Sequence, residues 1–266
     1  MFSLLPPELT DTFVVYGCSA GGLATYTWVQ TIADFIYSKN QNAKVIGLPD
    51  AGFFIDYPSL ITGTNDYARN IKAVVDLVNS PAVPLPNARC MANETAEPHH
   101  CLMAEHLLSY IDVPLFISES LYDIWQLANI LQVPCMDNHI WPPGPISLCN
   151  SSELVEINKF KDYTIERLQY AFDMKPSSRG VWAPACPYHC YSRFGLATDP
   201  DSSNYTVPAL SEHTLGQASH SFLFEGDRTA RIDTVNWPAN SKCATFYQLG
   251  CPKPYSMEDQ YSYYSL

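Results

Sequence analysis

Several features are scarce or missing in this sequence. No stretch approaches the ~20 consecutive apolar residues that a bilayer-crossing helix needs, so no membrane insertion is expected. Basic residues are few: 15 Lys and Arg stand against 27 Asp and Glu, a formal net charge of −12. That balance argues against nucleic acid and against anionic membrane surfaces as partners, without naming a substrate. Nine cysteines include no Cys-x-x-Cys pair, so the spacing gives little support to a metal site. No internal repeat and no second domain are legible. The opening Met1-Phe2-Ser3-Leu4-Leu5-Pro6-Pro7 is too short for a secretory leader and carries no basic residue.

What is present is a globular composition, 47% hydrophobic over 266 residues, ample for a sizeable core. We expect a single domain over residues 1–253 and a surface tail, rich in tyrosine and serine, over 254–266. The cysteine count points to an oxidising, secreted setting. Asn93, Asn150 and Asn204 open glycosylation sequons, although about two such patterns arise by chance in a chain of this composition. An odd number of cysteines leaves at least one thiol free, and Cys18, expected to face the packed interior, is the candidate. The other eight allow about 105 pairings, among which Cys90–Cys101, Cys135–Cys149 and Cys243–Cys251 are the local ones.

The chain is organised around Phe13-Val14-Val15-Tyr16-Gly17-Cys18-Ser19-Ala20-Gly21-Gly22. An apolar run enters Gly-x-Ser-x-Gly and a helical pattern leaves it. Alone the pentapeptide is a weak pattern. Between a strand and a helix it reads as the nucleophile elbow of an α/β-hydrolase, with Ser19 at the apex of a sharp turn. Gly17 and Gly21 are expected to flank it because side chains there would collide. The helix starting near Ala20 brings free N–H groups and its positive dipole end to the serine oxygen.

Further along, Val29, Ile32, Ala33 and Ile36 mark one buried helix face, and Lys44 to Leu48 reads as the next buried strand, ending at Asp50. Strand, helix, strand implies a right-handed crossover and a parallel sheet, with ligands at the carboxyl ends of the strands. Ile71, Val74, Val75 and Val78 mark a second helix, and Leu102 to Ile111 a third. Residues 112–118 read as a buried strand, followed by a helix carrying Trp125, Ala128 and Leu131. Pro134 to Pro145 is a proline-rich loop. A long helix then shows Ile157, Phe160, Leu168 and Ala171 on one face, with Ser152 as its cap. Gly180 to Ala183 is the last strand expected.

A nucleophilic serine needs a base, and the base an orienting carboxylate, in the chain order Ser, Asp or Glu, His. Asp123 follows the strand after which the acid belongs, and His189 follows the final one. Asp50 is a rival acid whose bland role is to hold its loop. His213 is read as a solvated helix start and His220 as a core histidine. His99, His100 and His106 precede Asp123 and break the order.

These segments resemble the pectin acetylesterase/Notum family. Gly17-Cys18-Ser19-Ala20-Gly21-Gly22-Leu23-Ala24 is similar to its nucleophile signature. Asp50-Ala51-Gly52-Phe53-Phe54-Ile55-Asp56 resembles a strand-end motif, and Leu121-Tyr122-Asp123-Ile124-Trp125-Gln126 the acid segment. Cys186-Pro187-Tyr188-His189-Cys190 resembles the base segment of the plant-type members. The resemblance implies a mostly parallel α/β-hydrolase sheet flanked by helices. It also implies a Ser19–His189–Asp123 carboxylesterase removing acetyl groups from pectin, outside the cell or in the wall, with no metal or organic cofactor. The Ala20 amide would be one oxyanion donor, and Phe53, Phe54 and Trp125 would line the acyl side, although core packing is as good an account of each. The family's glycine-rich oxyanion segment lies upstream of the elbow. Here Ser19 follows too closely on Met1, so we expect the N-terminal strands to be missing from this chain. The alternatives are a degenerate hydrolase domain without activity and a deacylase for longer acyl chains.

Overall fold

The computed structural model describes residues 11–78, 85–136, 146–190 and 214–237. Its frame is a five-stranded sheet, parallel at every pairing, whose spatial order is the order of the chain. The strands are β1 (Thr12–Cys18), β2 (Lys44–Asp50), β3 (Leu115–Ser118), β4 (Arg179–Ala183) and β5 (Ala230–Ile232). β3 and β4 are buried along their whole length and β2 in all but its first residue, as befits strands covered on both faces. β1 alternates exposed and half-buried residues, the pattern of an edge strand.

Helix α1 (Ala20–Lys39) makes the first crossover. Val29, Ala33 and Ile36 are buried against the sheet and Ile32 is half-buried, so the helix lies as its apolar spacing requires. α2 (Asp66–Val78) forms where expected but sits differently: of its four marker residues only Val75 is buried, while Val74 and Val78 face outward. α3 (Ala88–Asn93) follows. The single helix expected over 102–111 is instead broken into a 3-10 turn, Pro98–Leu102, a short α4 (Ala104–Leu107) and a second 3-10 turn, Leu108–Tyr110. α5 (Ile124–Asn129) is one and a half turns long, and Leu131 lies just beyond it, fully buried.

α6 (Ser151–Asp173) buries Ile157, Phe160, Leu168 and Ala171. Its cap is Asn150 rather than Ser152: the Asn150 side chain accepts the amides of Ser152 and Glu153, and Glu153 reaches back to the Asn150 amide. α7 (Leu215–His220) and a π-turn, Ser221–Glu225, lead into β5, which the sequence did not announce. Three residues are too few to carry a period.

Arg179, the first residue of β4, is buried and donates to the carbonyls of Val113 and Ile111 at 2.8 and 2.7 Å. Burial pushes its guanidinium down to about 10. The expected Cys90–Cys101 and Cys135–Cys149 disulfides are both present. Cys243, Cys251 and the tail over 254–266 lie outside the described residues, as does most of the proline-rich loop. Among the described residues no helix is long and apolar enough to cross a membrane.

Candidate active site

The carboxyl ends of β1 and β2, together with the loops after β3 and β4, meet at one rim of the sheet. Ser19 stands there between β1 and α1 with φ +59°, a left-handed conformation that side chains rarely adopt. Its amide is held by the Asp50 carbonyl at 2.9 Å. A Cβ on Gly17 would lie 2.3 Å from the Gly21 carbonyl oxygen, so the turn needs glycine at 17. The space beside Gly21 is open, contrary to expectation. The second crowded glycine is Gly22, where a Cβ would meet the Asp50 carbonyl oxygen at 2.4 Å. Ser19, Ala51 and Cys190 all have positive φ, and all three lie in these strand-end segments. Backbone strain of this kind concentrates at functional sites.

His189 bridges Ser19 and Asp123. Its Nε2 lies 2.7 Å from Ser19 Oγ and its Nδ1 2.6 Å from Asp123 Oδ2. With the proton on Nδ1 donated to Asp123, Nε2 accepts from the serine hydroxyl; geometry, not a visible hydrogen, assigns this tautomer. Burial alone would lower the imidazole pKa. The Asp123 carboxylate, through charge and hydrogen bond, and then Asp50 outweigh it, and the net shift is upward. Asp123 is fully buried and also caps α5, accepting the Gln126 amide on Oδ1 at 2.9 Å. Three bonds tie the segment around Asp123 to the segment before His189: the Leu121 amide donates to the Pro184 carbonyl, the Ile124 amide to the Tyr188 carbonyl, and Ser120 Oγ to the Cys186 carbonyl.

The thiol expected to be free is not. Cys18 is half-buried rather than interior, and it forms a disulfide with Cys190. Two half-buried cysteines flanking Ser19 and His189 are brought within 5.5 Å (Cα–Cα) by the same approach that joins those residues.

Asp50 accepts from Ser118 Oγ at 2.7 Å, in keeping with a role in holding its loop. Of the rival bases, His220 is exposed beside Glu225 rather than in the core, and His213 lies outside the described residues. His100 and His106 stack on one another at 3.9 Å, with His100 bonded to Glu94. The proposed acyl-side residues separate. Phe53 is buried against Tyr26, and Phe54 packs on Trp125 at 4.8 Å. Trp125 is half-buried, and its ring lies 6.3 Å from the His189 ring at an interplanar angle of 25°. Ala20 begins α1 and is exposed. Asn93 and Asn150 are exposed as well, and Asn204 lies outside the described residues.

One supporting group escaped the sequence reading. Glu119 is wholly buried, with its carboxyl pushed well up by burial and by the Asp123 charge. It accepts the Phe53 amide at 2.9 Å, while Gln126 accepts the Ile55 amide at 3.2 Å and donates to the Phe53 carbonyl at 3.4 Å. Glu119 and Gln126 therefore grip the 53–55 backbone much as a neighbouring strand would. The available signal was a carboxylate directly after the buried run 115–118. Among the described residues, the cluster of possible metal ligands is Cys135, Cys149 and Glu153, and both its sulfurs are committed to a disulfide.

A serine at a strand–helix elbow of a parallel sheet, hydrogen-bonded to an imidazole–carboxylate pair, is the arrangement of an α/β-hydrolase. Comparison with known proteins narrows the class: the chain belongs to the pectinacetylesterase family, whose model matches residues 7–244. Pectin acetylesterases 11 and 7 of Arabidopsis thaliana are 24% and 23% identical to it over 233 residues. Each alignment covers 86% of this chain and 56% of the relative, so the chain spans about half the length of the curated relatives it matches. The Wnt deacylase Notum from Drosophila shares the fold, with a TM-score of 0.67 at 19% identity, covering 89% of this chain and 61% of that one.

Proposed function

We propose that this chain is a serine carboxylester hydrolase acting on O-acetyl esters of pectin or a related cell-wall polysaccharide. The observation that carries the reading is the unbroken hydrogen-bond chain from Ser19 through His189 to Asp123. Ser19 Oγ attacks the ester carbonyl as His189 Nε2 takes its proton. The alcohol leaves with that proton, and an acetyl-serine remains. Water then attacks under the same base, releasing acetate and restoring Ser19. Asp123 orients His189 and stabilises the imidazolium formed in each half-reaction. The Ala20 amide, at the positive end of α1, donates to the developing oxyanion. Family membership and the pectin acetylesterase relatives support the acetyl-polysaccharide substrate. Three disulfides among the described residues favour an oxidising compartment, outside the cell or in the wall, where the exposed Asn93 and Asn150 could carry glycans.

The test is turnover of 4-nitrophenyl esters of increasing acyl length, together with acetate release from acetylated pectin. Acetyl preference that vanishes in Ser19→Ala supports the proposal. Preference for long acyl chains would replace pectin with a lipid-modified substrate. A folded chain with no turnover would make it a non-catalytic member.

A further inference from the structure

The elbow and the His189 segment are joined twice, once by the Ser19–His189 hydrogen bond and once by a covalent bond beside it. Cys18 immediately precedes Ser19, and Cys190 immediately follows His189. Resting on the hydrolase reading above, we propose that the Cys18–Cys190 disulfide is a positioning device for His189, and that a dithiol reductant which opens it turns ester hydrolysis off reversibly.

Four observations support this. First, β1 and β4 are not neighbours: β2 and β3 lie between them, so no strand pairing sets the distance from Ser19 to the segment after β4. Second, that segment has no helix or strand of its own from Pro184 to Cys190. On the near side of His189 it is tied by the Leu121 amide to the Pro184 carbonyl, by Ser120 Oγ to the Cys186 carbonyl, by the Ile124 amide to the Tyr188 carbonyl, and through Cys186, which is itself disulfide-bonded; Cys18–Cys190 anchors the far side. Third, Cys190 has φ +64°, a conformation an untethered cysteine rarely keeps. Fourth, the bond differs from the other two whose cysteines both lie among the described residues. Cys90–Cys101 and Cys135–Cys149 close loops of 11 and 14 residues, whereas Cys18–Cys190 spans 172. Cys18 and Cys190 are half-buried and Cys90 and Cys101 wholly buried, so a reductant reaches the long-range bond ahead of Cys90–Cys101.

The chemistry balances as thiol–disulfide exchange. A thiolate of the dithiol attacks one sulfur, the S–S bond breaks, and the leaving sulfur is protonated. The reductant's second thiol then displaces the protein sulfur from the mixed disulfide. The protein gains two electrons and two protons, and the reductant becomes a cyclic disulfide. Oxidised glutathione supplies the reverse reaction.

The experiment exposes the whole chain to graded dithiothreitol. One aliquot is assayed with 4-nitrophenyl acetate, and a second is alkylated and mapped by mass spectrometry. Loss of kcat should track free thiol at Cys18 and Cys190, not at the other cysteines. Misplacement of a catalytic group by about 1 Å can cost 10²-fold, so a fall of about 10- to 100-fold is expected. KM should change less than about twofold, because acetyl-group binding is untouched. Activity should return with oxidised glutathione. Full kcat with both thiols free overturns the proposal. Cys18→Ser/Cys190→Ser should show the same loss with its circular dichroism preserved, and Cys90→Ser/Cys101→Ser should not. If the former variant unfolds, the mapped wild-type reduction decides alone. A readout independent of turnover is the NMR titration of the His189 ring. Freed from Asp123, it should titrate nearer the ordinary histidine value than in the oxidised chain, and an unchanged titration counts against the proposal. Oxidised wild type that hydrolyses no ester would sink the hydrolase reading, and the titration would still judge the disulfide.

Discussion

Gly22 and Gly52 meet back to back, with no room for a side chain on either. A Cβ on Gly52 would fall 2.4 Å from the Gly22 carbonyl carbon, and one on Gly22 would fall 3.0 Å from the Gly52 Cα. This contact lets the first turn of α1 lie directly on the loop after β2, so that the Asp50 carbonyl can hold the Ser19 amide. Gly52→Ala should therefore lower stability by about 3 kcal/mol, the upper range for overpacking, since backbone must move. Gly21→Ala, in open space on the same turn, should be neutral or add up to about 1 kcal/mol through helix propensity. Urea denaturation of the two variants reads the contrast. Equal effects would mean that the crowding at 52 does not matter.

The two oxygens of Asp123 make separable predictions. Asn at 123 can keep the helix cap on Oδ1, because Asn caps as well as Asp. It cannot hold His189 in the required tautomer, so Asp123→Asn should lose about 10⁴ in kcat with little change in melting temperature. Asp123→Ala should lose the same activity and, in addition, about 1 kcal/mol of stability with the cap. Calorimetry beside kinetics distinguishes the two losses.

The pH dependence follows from the direction of the His189 shift. The base acts in its neutral form, and its carboxylate neighbours favour the protonated form more than burial opposes it. Activity should thus rise with pH through a midpoint above the ordinary histidine value of about 6.5. A kcat/KM profile with its acid limb below that value would show that Asp123 does not dominate the imidazole's surroundings.

Glu119 offers a test away from the chemistry. Glu119→Ala strands the Phe53 and Ser120 amides that its carboxyl accepts and leaves a void among wholly buried neighbours. A loss of about 3 kcal/mol is expected, measured by thermal or urea unfolding. Unchanged stability would mean that solvent or other groups already serve those amides.

The frame of the site was legible because strong local signals coincide with it. The spacing in α1 is long enough to show its period, and the run before Gly17 and the apolar segments of β2, β3 and β4 stand out as continuous apolar runs. Chain order then ranked Asp123 and His189 ahead of their rivals. What stayed hidden depends on contacts between distant segments. Nothing local to Cys18 announces a partner 172 residues away, and the cysteine count suggested instead that it was free. The grip of Glu119 and Gln126 on residues 53–55 is likewise a meeting of separate loops. β5 owes its place to pairing with β4 rather than to its own three residues. Capping was misplaced by two residues at α6, where Asn150 and Ser152 are equally good caps in isolation and only the reach of Glu153 decides between them.

The separation of 170 residues between Ser19 and His189 also has a consequence for biosynthesis. The serine is synthesised with nearly two-thirds of the chain still to follow before its imidazole partner exists. Until residue 190 is made, Cys18 cannot form its native cross-link either. A growing chain thus carries an unpaired thiol next to an unactivated hydroxyl, and both acquire their partners within two consecutive residues of synthesis.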